Sequence, residues 1–352
     1  VTRSGTASAL TRTAALLLLA GCATAPLPLA PTAPQNHPLA FADLPGWAAE
    51  DHLAALAAVR AACRLRRDAA LGPVCARLGT RPPSTDAGAR AFLEANFQPE
   101  AVAGEGLLTA YFSPEYEARL QPEAPFTAPV RQRPALPAAG AGAPPDRAAI
   151  EAEPADDALA WMRPEDLFFL QIQGSGVLDL PGGRRLRAVY AGSNGLPFVG
   201  VARVMRDEGL IQDSGSSGEA IRGWLADHRG PEADAIMQRN PRYVYFTLRP
   251  DDGASPAGAA GVPLPPGRAV AADPASHPMG ELLWIDAEAP ALTGAVPAYR
   301  RLVAALDVGS AIKGEARLDL FVGSGEAAGR EAGRVRHRLR LYRLAPRPEP
   351  AS

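Results

Sequence analysis

A mainly β fold with accessory helices is the architecture this sequence predicts, on three patterns. Helical periodicity is confined to the first hundred residues and to a stretch around residues 199–239. From about residue 106 onward, short aliphatic and aromatic runs recur, bounded by Gly and Pro. The breakers are numerous, 34 Gly and 36 Pro in 352 residues, and unevenly spread, so they punctuate structure rather than signal uniform disorder. Such spacing suits barrels or sandwiches better than a doubly wound sheet.

At the N-terminus, Arg3 and Arg12 precede an apolar stretch at residues 14–20, too short for a membrane-crossing helix of about 20 residues. Residues 1–21 therefore read as a signal peptide. Leu19-Ala20-Gly21-Cys22 resembles a bacterial lipobox, which makes Cys22 the expected lipidation site and first mature residue. Residues 22–45 follow as a Pro/Ala linker with little to pack against. Acyl chains gain about 0.8 kcal/mol per buried CH₂, so several on one cysteine hold a protein on a membrane. Ala23 stands where an inner-membrane retention signal would have Asp, which by analogy points to the periplasmic face of the outer membrane. The formal net charge of −2 argues against a nucleic-acid binder. Five His and three Cys, with no HExxH and no CxxC, argue against a metal centre, and neither metal nor organic cofactor is expected.

Residues 47–71 show helical periodicity, with Leu53, Leu56, Ala57, Val59, Ala61 and Ala62 on the apolar surface. Gly72-Pro73 should end that helix, and shorter helices fit residues 74–79 and 88–97. In an oxidising compartment Cys63 and Cys75 become disulfide candidates. On one continuous helix they would lie about 18 Å apart at 1.5 Å per residue, beyond bridging range, but the Gly-Pro break turns the chain back. Two small buried hydrophobes remain the alternative. Strands are predicted at residues 107–112, 167–173, 185–190, 243–248, 268–272, 282–285, 302–306, 318–322 and 338–344. Helices interrupt them at 199–208, 218–228 and 232–239, residues 135–156 read as a loop, and residues 251–266 read as a crossing between modules.

Four stretches together resemble the lytic murein transglycosylase A family, whose C-terminal part is the three-aspartate (3D) domain. They are Gly106-Leu-Leu-Thr-Ala-Tyr-Phe-Ser-Pro114; Gln171-Ile-Gln-Gly-Ser-Gly176 with Tyr190-Ala-Gly-Ser-Asn-Gly195; Asn240-Pro-Arg-Tyr-Val-Tyr-Phe246; and a run from Gly261-Val-Pro-Leu264 through Asp307-Val-Gly-Ser-Ala-Ile-Lys-Gly314 to Asp319. The resemblance implies two β-barrel-like domains flanking a groove, one a double-psi β-barrel with the other inserted into it. The first would comprise residues 46–112 and 245–346, the insert residues 113–244, and residues 347–352 a tail. It also implies cleavage of the β-1,4 bond between N-acetylmuramic acid and N-acetylglucosamine in peptidoglycan, leaving a 1,6-anhydro ring. The glycan strands and a membrane reached through the N-terminal lipid would be the partners.

If residues 167–173 form a strand, Gln171 and Gln173 share one face and Leu170 and Ile172 the other. Paired amides beside Gly174, Ser175 and Gly176 suit a saccharide, which needs donors, acceptors and close backbone approach. A tight hairpin with solvated amides is the competing reading. Thr109 and Tyr111 are candidate substrate contacts, and Tyr111 and Phe112 suit sugar stacking, although aromatics in a β-run are more often core. Asn194-Gly195 is a turn signal first. Lys313 is the only lysine in the chain. Where every other fixed cation is Arg, a retained ammonium suggests a position that needs one, either to bind a substrate carboxylate or to hold an aspartate. Lys313→Arg is accordingly expected to lower activity.

Asp273, Asp307 and Asp319 each end or interrupt an apolar run, where a carboxylate is costly unless hydrogen-bonded or functional. Asp273 and Asp307 suit supporting roles at tight glycine-rich loops, Asp307 by accepting from residues 309–314. Asp319 stands where the family pattern places its catalytic acid, to act as acid and then as base, while Arg317-Leu318 add no support as variable flanks. Two rivals remain: a non-catalytic peptidoglycan-binding lipoprotein, and a hydrolase using Asp307 and Asp319 as a carboxylate pair about 5 to 9.5 Å apart.

Overall fold

The structure, a computed structural model, describes residues 39–65, 70–135, 142–212, 217–288 and 298–348. The expected signal peptide, Cys22 and most of the expected linker lie outside the described residues. The chain opens with two 3₁₀ turns and three helices, α1 (His52–Cys63), α2 (Gly72–Thr80) and α3 (Asp86–Asn96). The first long helix starts later than its periodicity suggested because Asp51 caps it, accepting from the Ala54 amide at 2.9 Å. Pro73 lies in the first turn of α2, where its missing N–H costs nothing, so the Gly-Pro pair starts the second helix. The turn back brings Cys63 and Cys75 to a Cα separation of 5.6 Å, joined by a disulfide.

Strands β1 (Phe97–Ala101) and β2 (Gly106–Ser113) follow, and then an insertion. Its elements are β3 (Glu115–Glu117), β4 (Ala128–Arg131), α4 (Arg147–Glu151), β5 (Ala158–Met162), α5 (Pro164–Gln173), β6 (Ser175–Leu180), β7 (Arg184–Ser193), α6 (Val201–Asp207), α7 (Gly218–Asp227), α8 (Pro231–Met237) and β8 (Val244–Pro250). The chain then returns through β9 (Ala269–Ala271), β10 (Leu282–Glu288), β11 (Ala298–Asp307), β12 (Arg317–Ser324), α9 (Gly325–Ala332) and β13 (Arg336–Pro346).

Strands β1, β2 and β9 to β13 form one seven-stranded sheet in the order β1-β13-β10-β11-β9-β12-β2, and β2 pairs back onto β13 to close it. Leu108, Val270, Ile285, Val303, Leu318, Leu320 and Leu339 fill this barrel. Its outer wall carries Trp284, Leu302 and Phe321 into a second core with Trp47, Leu56 and Leu93 of the N-terminal helical layer. Each such buried side chain contributes roughly 1.5–3 kcal/mol.

Two expectations are corrected here. Helix and strand take nearly equal shares of the described residues, so the fold is not mainly β. Only one sheet closes: the four-stranded sheet β3-β6-β7-β8 and the pair β4-β5 are open, which overturns the two-barrel, double-psi expectation. Helices supply the insert's second layer, with Phe168, Val201, Met205, Ile221, Leu225 and Ile236 forming an inter-helical core. A sheet covered by helices has no need to curl on itself.

Residues 167–173, expected as a strand, lie in α5. Pro164 opens that helix, Glu165 and Asp166 occupy its first turn, and Gly174 ends it at φ 81°. A short apolar run fits either period, and these flanking signals decide. Residues 147–151, read as loop, form α4, capped by the Asp146 carboxylate on the Ala149 amide at 2.9 Å.

Candidate active site

Strand β12 alternates strictly, so Leu318 and Leu320 enter the barrel interior while Arg317, Asp319 and Phe321 share the outer face. Its parallel neighbour β2 sets Thr109 beside Asp319 and Tyr111 beside Phe321. The Thr109 hydroxyl donates to Asp319 Oδ1 at 2.5 Å. Burial holds the Asp319 carboxyl above the ordinary aspartate range, the Thr109 hydroxyl and Arg317 pull it down, and the Asp307 charge pushes it up.

Asp319 and Arg317 open onto a groove of about 180 Å³ between barrel and insert. The barrel side adds Gly309 to Ile312, and the insert side supplies Arg147, Gln171, Phe198, Asn240, Arg242 and Val244. Side chains fasten the insert wall. Arg147, 2% exposed, donates to the carbonyls of Asn240 at 3.0 Å and Arg242 at 2.7 Å and pairs with Glu151 at 3.1 Å. The Asn240 amide oxygen accepts from the amides of Val199 and Arg242, and Asn194 donates to the carbonyls of Pro145 and Pro241. Asn194 is thus a bracket for the groove loop, a role its reading as a turn signal did not include.

The other two aspartates are tied to backbone and loops. Asp307 Oδ1 accepts from the amides of Ala259 and Val308, each at 2.9 Å, and Oδ2 accepts from the Tyr111 hydroxyl at 2.8 Å. Burial raises its carboxyl above the usual range against the pull of those three donors. Asp273 Oδ2 accepts from the Gly314 amide at 2.9 Å, and this bond together with that from Ala275 lowers its carboxyl. The glycine-rich segment is therefore held by Asp273, whereas Asp307 was the expected acceptor.

Lys313 stands away from the groove lining. Its side chain is 64% exposed and its ammonium lies 3.7 Å from Asp273 Oδ1, so of the two roles considered the structure places it beside an aspartate. The Tyr111 hydroxyl is spent on Asp307 and its ring packs on Phe321 at 5.4 Å between centroids, and it is not among the groove-lining residues. The two glutamines share no strand face. Gln171 is buried, donates to the Val244 carbonyl at 3.1 Å and keeps Oε1 without a partner among the described residues, while Gln173 accepts from the Phe112 amide at 3.2 Å. Gly174 serves the helix end, Ser175 begins β6, and a Cβ on Gly176 would meet the Pro114 carbonyl at 2.8 Å. These glycines are therefore required by the chain geometry itself. Arg147, Arg242 and Arg317 were missed as groove residues; for Arg317, a cation opening an apolar strand two residues before Asp319 was the available signal. Among the described residues no His, Cys, Asp and Glu cluster could hold a metal ion.

Comparison with known proteins follows the same division. The family described as "MltA specific insert domain" matches residues 107–247, and the "3D domain" matches residues 268–345. Membrane-bound lytic murein transglycosylase A of Vibrio cholerae is 34% identical over 250 residues, 68% of this chain and 66% of the relative. That of Escherichia coli K12 is 34% identical over 253 residues, 70% of this chain and 67% of the relative, so the chain spans about two thirds of the length of these curated relatives. The structure of a membrane-bound lytic murein transglycosylase from Agrobacterium tumefaciens is 32% identical, with 88% of this chain and 97% of that chain covered and a TM-score of 0.76. E. coli MltA with bound chitohexaose is 27% identical, with coverages of 89% and 92% and a TM-score of 0.69. These relatives and solved structures are of the class of lytic transglycosylases. The chain belongs to the MltA family of these enzymes, with a C-terminal 3D domain.

Proposed function

We propose that the chain cleaves the β-1,4 bond between N-acetylmuramic acid and N-acetylglucosamine in peptidoglycan, with Asp319 as the one acid and base. The observation that carries this reading is that Asp319 is the sole carboxylate lining the groove among the described residues, and burial keeps it prone to protonation. Its proton goes to the glycosidic oxygen as the bond breaks. The resulting carboxylate takes the proton of the muramic acid C6 hydroxyl as that oxygen closes on C1. The nucleophile belongs to the same sugar, so its effective concentration is high and no second carboxylate is needed to activate water. A hydrolase would need that second carboxylate, and Asp307 has both oxygens engaged by three donors outside the groove lining. Gln171 Oε1, an unsatisfied acceptor in the groove wall, suits a hydroxyl or N-acetyl N–H of the glycan.

Membership of a membrane-bound family accords with a periplasmic, membrane-associated protein. Lipid attachment at Cys22 and placement on the outer membrane belong to this proposal and rest on the Leu19-Ala20-Gly21-Cys22 pattern. The division into residues 46–112 with 245–346 and an insert of residues 113–244 also belongs to this proposal and rests on the four family stretches. Mass analysis of digested sacculi tests the activity: anhydro ends are lighter by one water than hydrolysed ends. Release of hydrolysed ends, or of nothing by a folded protein, overturns it.

A further inference from the structure

We infer that Arg242 and Arg317 together form a clamp for a carboxylate carried by the glycan strand, so that the groove selects an acidic glycan over an uncharged one. This rests on the glycan-cleaving reading above and adds a recognition element to it. The two residues line the same cavity from opposite sides, Arg242 on the loop ahead of β8 and Arg317 at the first position of β12. Each guanidinium is partly buried and fastened to backbone through one nitrogen. Arg242 Nη1 donates to the Leu196 carbonyl at 3.2 Å; Arg317 Nη1 donates to the carbonyls of Leu318 at 2.6 Å and Leu107 at 3.4 Å. Among the described residues neither has a carboxylate within ion-pair distance.

Arg147, the third arginine of the groove, behaves otherwise: each of its three guanidinium nitrogens is engaged, by two carbonyls and by Glu151. Most partly buried arginines elsewhere also have an acidic partner, as Arg131 has Asp157, Arg187 has Asp251 and Arg268 has Glu50. A partly desolvated guanidinium without a counter-ion is unfavourable until an anion arrives. Burial and Arg336 both act against the charge on Arg317, and the Asp319 carboxylate, when ionised, supports it. If Asp319 is protonated to act as acid, that support is withdrawn, and a carboxylate from the substrate can take its place. Planar N–H forks match carboxylates in two-point contacts. The glycan of the proposed substrate offers carboxylates in two places, on the lactyl ether of unsubstituted muramic acid and on peptide stems.

Binding measured by calorimetry on the full chain carrying Asp319→Asn, which prevents turnover, separates these sources. The probes are chitohexaose, glycan stripped of peptides with free lactyl carboxylates, and glycan with intact stems. Arg242→Gln and Arg317→Gln are each expected to weaken a carboxylate-bearing glycan about tenfold and leave chitohexaose unchanged, with Arg→Lys retaining part of the affinity. Loss confined to stripped glycan assigns the lactyl group, and loss confined to stem-bearing glycan assigns the peptide; both support the clamp. Equal losses on charged and uncharged glycans, or none on either, overturn it. If anhydro product is still released by the parent enzyme in that case, the activity reading stands and only the clamp falls.

Discussion

On the barrel side of the groove, Asp319 sits in the middle of a strand with ladder partners on both flanks, β2 on one and β9 on the other. On the insert side, Asn240, Arg242 and Phe198 come from loops held by side chains, chiefly Arg147, Asn194 and Asn240 itself. The barrel wall thus holds one titratable atom in a fixed setting. The insert wall presents a wider polar surface whose shape depends on a few buried donors. Proton transfer needs the first arrangement, because its efficiency depends on a tuned carboxyl within hydrogen-bond reach. Recognition of a long, repetitive ligand tolerates the second.

The comparison predicts unequal consequences on the two sides. The largest effect belongs to the barrel wall: Asp319→Asn should lower release of anhydro muropeptides by about 10²- to 10⁴-fold, with glycan binding and the thermal transition retained. Asp307→Asn tests the rival assignment, and near-complete loss there with product still formed by Asp319→Asn would exchange the two roles.

On the insert wall the dominant effect should be on stability. Arg147→Met leaves two carbonyls and Glu151 without their donor, for a loss of about 3 kcal/mol, measurable in urea melts and accompanied by weaker glycan binding. An unchanged melt with weakened binding would instead make Arg147 a direct ligand.

A subtler effect is expected in the pH profile of Thr109→Val. The Thr109 hydroxyl stabilises the ionised carboxylate and so lowers its pKa; removing it leaves burial less opposed and the pKa rises. Activity needs the protonated acid and falls as pH rises through that pKa, so the falling limb of kcat/KM should move to higher pH, and Thr109→Ser should leave it in place. A limb that stays put, or moves down, would separate Thr109 from the acid. The smallest effect is assigned to Lys313→Arg. An exposed ammonium 3.7 Å from Asp273 is worth little, and the change should alter stability by less than about 0.5 kcal/mol and leave turnover intact. This reverses the expectation drawn from its being the only lysine.

Most strands were legible along the chain. Residues 318–322 and 338–344 carry alternating apolar residues between breakers, and both are strands of the barrel. The Gly72-Pro73 break between Cys63 and Cys75 also marked where the chain turns back. The glutamine motif was legible as a motif but not as an element, because seven residues of mixed aliphatic and amide character fit a period of 2 or of 3.6. Only with Pro164 at one end and Gly174 at the other does α5 follow, and with it the separation of Gln171 from Gln173.

By itself the amino-acid sequence determined the family and located most of the barrel strands, and its motif order singled out Asp319 as a candidate, because local propensity, breakers and motif order are written along the chain. The tertiary structure alone decided which sheet closes, that helices cover the other, and that Arg242 and Arg317 line one groove with neither in an ion pair among the described residues. It also decided which aspartates are consumed by backbone amides. Those outcomes depend on pairing and burial between residues as far apart as Thr109 and Asp319, where a side chain's chemistry is set by what the fold brings within a few ångströms of it.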